Sequence, residues 1–148
     1  MWYTALMTRS ARGTRVIYIP DTNACIRYLN KPDSSVAKKF AATPPGDIAL
    51  CDIVKMELYY GAYRSSRQQD NLALLRKFFL PFLSLPFDDV AAEICGRIRA
   101  LPAAAGTPIG PYDLQIAAIA LVNNMTLVKH NTREFSRVPG LLLDDWEV

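Results

Sequence analysis

Short, unbroken apolar runs spaced by helix-length segments constrain this chain more than any other feature. Ile17-Tyr18-Ile19, Ile48-Ala49-Leu50-Cys51, Leu127-Val128 and Leu141-Leu142-Leu143 are continuous rather than alternating. A strand with one wet face alternates, whereas a continuous run is covered on both faces. Strands are therefore expected at Arg15–Ile19, Asp47–Cys51, Thr126–Val128 and Leu141–Leu143, with Phe82–Leu85 a short extended piece. Capping signals place helices between them. One runs from Asp21 or Thr22 to about Leu29, and the next from Ser34 to Ala42. A third is capped by Asp52 and runs to about Tyr63. Others cover Asn71–Phe79, a segment from Asp88 or Asp89 to Leu101, and Tyr112–Asn123. Lys31-Pro32-Asp33 and Thr43-Pro44-Pro45-Gly46 read as breaks, Pro102–Pro111 as a loop and Thr132–Ser136 as a helical turn. Such alternation predicts a three-layer α/β/α sandwich with a mainly parallel central sheet.

The 148 residues suit one domain, read as 15–148, and half of them are hydrophobic. Residues 1–14 read as a flexible tail, with Met7 or a later residue nearer the functional start. Their apolar residues precede Arg9, Arg12 and Arg15, the reverse of a signal peptide. The longest apolar stretch, Leu72 to Phe87, contains Arg76 and Lys77 and is broken by Pro81 and Pro86, so no membrane span is expected. Cys25, Cys51 and Cys95 are too scattered for a disulfide framework or a zinc cluster, and they fit a reducing cytoplasm. The formal charge of +3 permits a nucleic-acid partner without requiring one.

Three acidic residues interrupt apolar surroundings. Asp21 ends Val16-Ile17-Tyr18-Ile19-Pro20, Glu57 lies within Ile53-Val54-Lys55-Met56-Glu57-Leu58, and Asp113 opens Leu114-Gln115-Ile116-Ala117-Ala118. Each has an ordinary explanation: a helix cap for Asp21, a helix-dipole partner for Asp113, a solvated face for Glu57. In an open α/β sheet, however, all three are expected near the carboxyl ends of the strands, where function gathers. Gathered carboxylates repel: two unit charges ~4 Å apart cost about 4 kcal/mol at an effective dielectric of ~20. A divalent cation reverses that sign, which points toward Mg²⁺ or Mn²⁺ and phosphoryl chemistry.

The chain resembles the PIN-domain ribonucleases and, within them, the VapC toxins of bacterial toxin–antitoxin pairs. The resemblance runs from about Ile17 to Trp146. It rests on Tyr18-Ile19-Pro20-Asp21-Thr22-Asn23, Val54-Lys55-Met56-Glu57-Leu58-Tyr59-Tyr60-Gly61, Gly106-Thr107-Pro108-Ile109-Gly110-Pro111-Tyr112-Asp113 and Leu127-Val128-Lys129-His130-Asn131-Thr132-Arg133-Glu134-Phe135. It implies a metal-dependent endoribonuclease in which Asp21, Glu57 and Asp113 hold Mg²⁺ or Mn²⁺. A fourth ligand is implied at Asn131 or Glu134, and the sequence does not choose between them. Thr22 and Asn23 are implied to orient the acidic cluster. A tRNA is the implied substrate, and a homodimer and a cognate VapB-like antitoxin are the implied partners.

Lys129 departs from the family pattern, which usually carries Thr or Ser there. Its ammonium has three destinations: a substrate phosphate, an ion pair with Asp21 that competes with metal, or solvent. Arg64 and Arg133 are candidates for phosphate contacts, with solvated arginines as the ordinary reading. His130 is the only histidine, which rules out a two-histidine ribonuclease within one chain. Asp21 is followed by Thr and Asn, so neither the acidic pair of a receiver domain nor the D-x-D of a dehalogenase-type phosphatase is present. The rival reading is a PIN-like module that binds RNA or antitoxin with weak or no catalysis, and Lys129 and Asn131 favour it.

Overall fold

The computed structural model describes residues 15–102, 108–130 and 132–148. The expected 1–14 tail, part of the Pro/Gly loop and Asn131 lie outside them. Among the described residues there are five strands and six α-helices, the helices coming in pairs between successive strands up to the fourth. Strand β1 (Tyr18–Pro20) leads into α1 (Thr22–Asn30) and α2 (Ser35–Ala42). Then follow β2 (Ala49–Cys51), α3 (Asp52–Arg64), α4 (Gln68–Phe79), β3 (Leu83–Leu85) and α5 (Asp89–Arg99). Helix α6 (Pro111–Val122), β4 (Thr126–Val128) and β5 (Leu142–Asp144) complete the order.

All strand pairs are parallel, in two patches, β1-β4-β5 and β2-β3. A single parallel bridge between Tyr18 and Ile48 joins them, giving the running order β3-β2-β1-β4-β5. Successive residues of a strand point to opposite faces, yet Ala49, Leu50 and Cys51 are all buried, as are Thr126, Leu127 and Val128. Both faces are therefore covered by helices, as the continuous apolar runs predicted. The chain departs to one side of β1 to build β2 and β3 and returns on the other side to build β4. That reversal opens a crevice at the carboxyl ends of β1 and β4.

Helix α6 is apolar all round, with Leu114 and Ile116 through Ala120 buried, so it packs within the fold instead of lying on its surface. Pro111 starts it, a position where the missing N–H costs nothing. Asn124 takes the left-handed conformation (φ 53°) that turns the chain into β4. Between α1, α2, α4 and the C-terminus, Tyr28 stacks on Phe40 at 4.3 Å, and Phe40 meets Trp146 edge-on at 5.9 Å. Ser35 Oγ donates to the Trp146 carbonyl at 2.7 Å. These contacts tie the chain end back to the first helices.

Several boundaries differ from the sequence reading, and four of them have a clear local reason. Strand β1 starts at Tyr18 because Arg15 clasps a turn, with Nε donating to Asp47 Oδ1 at 2.9 Å and Nη2 to the Gly46 carbonyl at 2.7 Å. Strand β2 starts at Ala49 because Pro45–Asp47 is a turn of 3₁₀ helix. Asp52 is the first residue of α3, not its cap; Oδ2 accepts the Phe87 N–H instead, at 3.1 Å. Helix α4 begins at Gln68, three residues before Asn71, where Arg67 pairs with Asp70 at 2.7 Å. The Leu72–Phe87 stretch is divided: Leu72, Leu75, Phe78, Phe79 and Leu85 are buried, whereas Leu74, Leu80 and Leu83 are exposed. No helix among the described residues is long and apolar enough to cross a membrane. The described cysteines are free thiols, and burial pushes Cys51 up to about 11.

Candidate functional site

Asp21 follows β1, and two backbone bonds fix it. Its N–H donates to the Val128 carbonyl at 3.0 Å, extending the β1–β4 pairing by one residue. Its Oδ1 accepts the Ala24 N–H at 2.8 Å, capping α1. One carboxylate oxygen is thus used by the fold, and Oδ2 remains. That oxygen lies 3.5 Å from Lys129 Nζ, and Asp113 Oδ2 lies 3.7 Å from the same ammonium. Lys129 directly follows β4, where its N–H donates to the Asp144 carbonyl at 2.9 Å. Its side chain is 9% exposed, with the ammonium 5.2 Å from the centroid of the Phe135 ring. Of the three destinations read for Lys129, the ion pair with Asp21 is the one seen.

Burial raises the Asp21 carboxyl above the usual range. The Ala24 N–H and the Lys129 charge pull it down in part, and Asp113 pushes it up again. Asp113 sits in the first turn of α6 with its side chain 39% exposed. Glu57, on α3, is half-buried and held from α1, where Thr22 Oγ1 donates to Glu57 Oε1 at 2.6 Å. Thr22 therefore joins two of the acidic segments directly. Asn23 is exposed and lines the adjoining cleft.

That cleft, about 570 Å³, runs from Asp21 and Lys129 past Glu134 and His130. Arg27, Asn30, Lys31 and Glu147 also line it, and the sequence reading did not single them out. Asn23, Arg27 and Asn30 stand at i, i+4 and i+7 on one face of α1, a periodicity that could have found them. Glu147 carried no local signal; it arrives because Trp146 anchors the chain end, and it pairs with Arg27 at 2.9 Å. His130 Nδ1 lies 3.0 Å from Asp145 Oδ2. Arg64 is drawn away onto Tyr60, donating to its hydroxyl at 3.1 Å, and neither it nor Arg133 lines the cleft. Beside the cleft, sharing Ile26 and Asn30, an apolar groove of about 270 Å³ runs between α1, α3 and α4, with Glu57 at its border.

Hard oxygen donors suit a hard cation, and a cationic group already stands between two of them. Asp21 and Asp113 therefore offer the charge that a small cation needs at the position of the Lys129 ammonium, 3.5 and 3.7 Å away, and would close on a divalent ion to coordinate it. Among the described residues, no three His, Cys, Asp or Glu side chains converge closely enough to cage an ion. Glu57 is held by Thr22, the residue after Asp21, and borders the neighbouring groove; Glu134 lines the cleft with Asp21 and Lys129, whereas Glu57 and Asp113 are not among its lining residues.

Residues 18–141 match the family model of the PIN domain. Over 129 residues the chain is 38% identical to the tRNA(fMet)-specific endonuclease VapC of Shigella flexneri, an alignment covering 87% of this chain and 97% of that protein. Among solved structures, a chain of the DNA-bound VapBC of Salmonella typhimurium superimposes with a TM-score of 0.77 at 38% identity, covering 88% of this chain and 98% of that one. VapBC2 of Rickettsia felis, bound to a DNA fragment from its promoter, gives a TM-score of 0.79 at 32% identity, covering 88% of this chain and 99% of that one.

Proposed function

The chain belongs to the PIN-domain family, among the VapC ribonuclease toxins of VapBC toxin–antitoxin systems, and from that membership we propose a Mg²⁺- or Mn²⁺-dependent endoribonuclease that cuts a tRNA and is neutralised by a VapB-like antitoxin. The observation that carries the reading is the meeting of Asp21, from β1, and Asp113, from α6, at one cationic position.

In this reading Asp21 and Asp113 hold the ion, with Glu57 and either Asn131 or Glu134 completing its oxygen surroundings. When bound, the ion supplies the charge that polarises a phosphodiester and acidifies an attacking water. The protein's own part is positioning. The Ala24 N–H locks the Asp21 rotamer so that one oxygen always faces the site. The Thr22 hydroxyl aims Glu57, and exposed Asn23 lines the cleft. Lys31, which lines the cleft, supplies positive charge for the phosphates that flank the cut, and Arg27 beside it is paired with Glu147. The substrate class rests on the 38% identity to a tRNA(fMet)-specific endonuclease.

The apolar groove supports the antitoxin. Ile26 and Leu74 stand exposed along it, over Leu29, Leu58 and Leu75, and an amphipathic helix fits such a groove. A homodimer belongs to the same reading, with Leu80 and Leu83 as exposed apolar surface after α4.

The test is cleavage of total tRNA and rRNA by the pure full chain with Mn²⁺, against EDTA and Asp21→Asn controls. Metal-dependent cutting of tRNA is expected, reduced at least roughly a hundredfold in the variant. The Lys129–Asp21 ion pair favours a second reading, an RNA- or antitoxin-binding module with weak or no catalysis. Folded protein that binds RNA and cuts none of it with Mn²⁺ would establish that reading instead.

A further inference from the structure

Lys129 is the buried charge that the proposed reaction does not use. Its backbone is fixed between β4 and β5, and Phe135 covers its ammonium on one side. The two nearest carboxylates belong to different elements, and both lie within 4 Å of this one ammonium. Two carboxylates this close need a counter-charge to coexist, and the ammonium is that counter-charge.

We propose that Lys129 is the resident cation of this site: its ammonium occupies the position between Asp21 and Asp113 that a divalent ion requires, so metal loading is a competition with this side chain. The inference rests on the metal-site reading above. A singly charged ammonium and a doubly charged ion cannot share one position within 4 Å of the same two oxygens: they would overlap, and at equal distance their repulsion is twice the attraction of either carboxylate for the ammonium. Loading therefore demands that the lysine withdraw. It has a place to go: Lys129 lines the large cleft, and Glu134 and Glu147 line it too. A flexible four-carbon stem carrying a hydrated point charge suits such a move, which a rigid guanidinium fork does not. Lys129 thus sets the divalent-ion concentration at which the site fills, and it keeps Asp21 and Asp113 in place until then.

The experiment compares Mn²⁺ affinity of the full chain with that of Lys129→Thr and Lys129→Met, by calorimetry and by the EPR signal of free Mn²⁺, without RNA. Both variants are expected to bind Mn²⁺ roughly 10- to 100-fold more tightly. In EDTA they are expected to melt below the unsubstituted protein and to recover on adding Mn²⁺, since the ion replaces the missing charge. Equal or weaker Mn²⁺ affinity in the variants overturns the inference while leaving the metal site standing. Absence of Mn²⁺ binding in all three proteins overturns the metal reading and this inference together. If the variants do not fold, ¹³C-dimethylated lysines report on the native side chain. The Lys129 resonance is expected to shift and sharpen as Mg²⁺ saturates the site, and an unmoved resonance at saturation rejects the competition.

Discussion

Asp21 and Asp113 face the same ammonium, yet the fold holds them in opposite ways. Asp21 is 4% exposed, capped onto Ala24 and stitched by its N–H to Val128, so it belongs to the β1–β4 framework as much as to the site. Asp113 is 39% exposed in the first turn of α6. One carboxylate is structural and chemical at once; the other is free to serve chemistry alone. Removing each should therefore have the same consequence for cleavage and different consequences for stability.

The largest effect breaks or confirms this contrast directly. Asp21→Ala removes a helix cap, worth about 0.5–2 kcal/mol. It also strips the nearer partner from a buried lysine, and breaking such a pair costs about 3 kcal/mol or more. Asp113→Ala removes a half-solvated partner and should cost no more than about 1 kcal/mol. Urea unfolding in EDTA measures both, while RNA cleavage should be lost in both. Equal destabilisation would show that the two carboxylates support the fold alike.

A smaller effect sharpens the contrast through pH. Burial, the largest cause, raises the Asp21 carboxyl in the folded state, above its unfolded value of about 3.9. Between those two values the folded protein binds the proton more tightly than the unfolded chain. The contribution of Asp21 to stability is thus greatest below the unfolded value, falls as pH rises through the folded one, and is constant above it. Measured in EDTA, the stability of the protein relative to Asp21→Asn should rise on acidification through that window. Cleavage should move the other way, because only ionised Asp21 attracts a cation. A pH-independent difference between the two proteins would mean that burial does not shift this group.

How far the sequence revealed these contrasts depends on the range of the interaction. Asp21 was legible because a strand end and an Asp-Thr-Asn cap are local patterns, and α6 was legible because an apolar helix must be buried. Arg27 was within reach, four residues from Asn23 on the same helix face. The early start of α4 was missed since Gln68 and Gln69 carry no capping signature. Asp52 looked like a cap, but its partner, Phe87, lies 35 residues away. Glu147 reaches the cleft only through the packing of Trp146. The direction of Lys129 was open for the same reason: solvent, phosphate and ion pair all begin from one sequence, and only the placement of α6 beside β4 separates them.

The smallest expected effect concerns Glu57, which the contrast leaves between its two extremes. Glu57 is half-buried like Asp113, but Thr22 Oγ1 anchors it from the residue that follows Asp21. Thr22→Val keeps the shape of the side chain and deletes this one bond. A hydrogen bond at a partly solvated site contributes about 1 kcal/mol, so unfolding should shift by that much or less. Losing an orienting partner costs metal affinity or activity roughly 10- to 100-fold, and the lower end is expected where the ligand is partly exposed. Thr22→Ser, which restores the hydroxyl, should recover cleavage and Mn²⁺ affinity together. Were Thr22→Val as damaging to cleavage as Asp113→Ala, Glu57 would be a fixed element of the site like Asp21, held through its neighbour's hydroxyl instead of its own backbone bonds. A silent substitution would place it with Asp113, where the ion itself does the ordering.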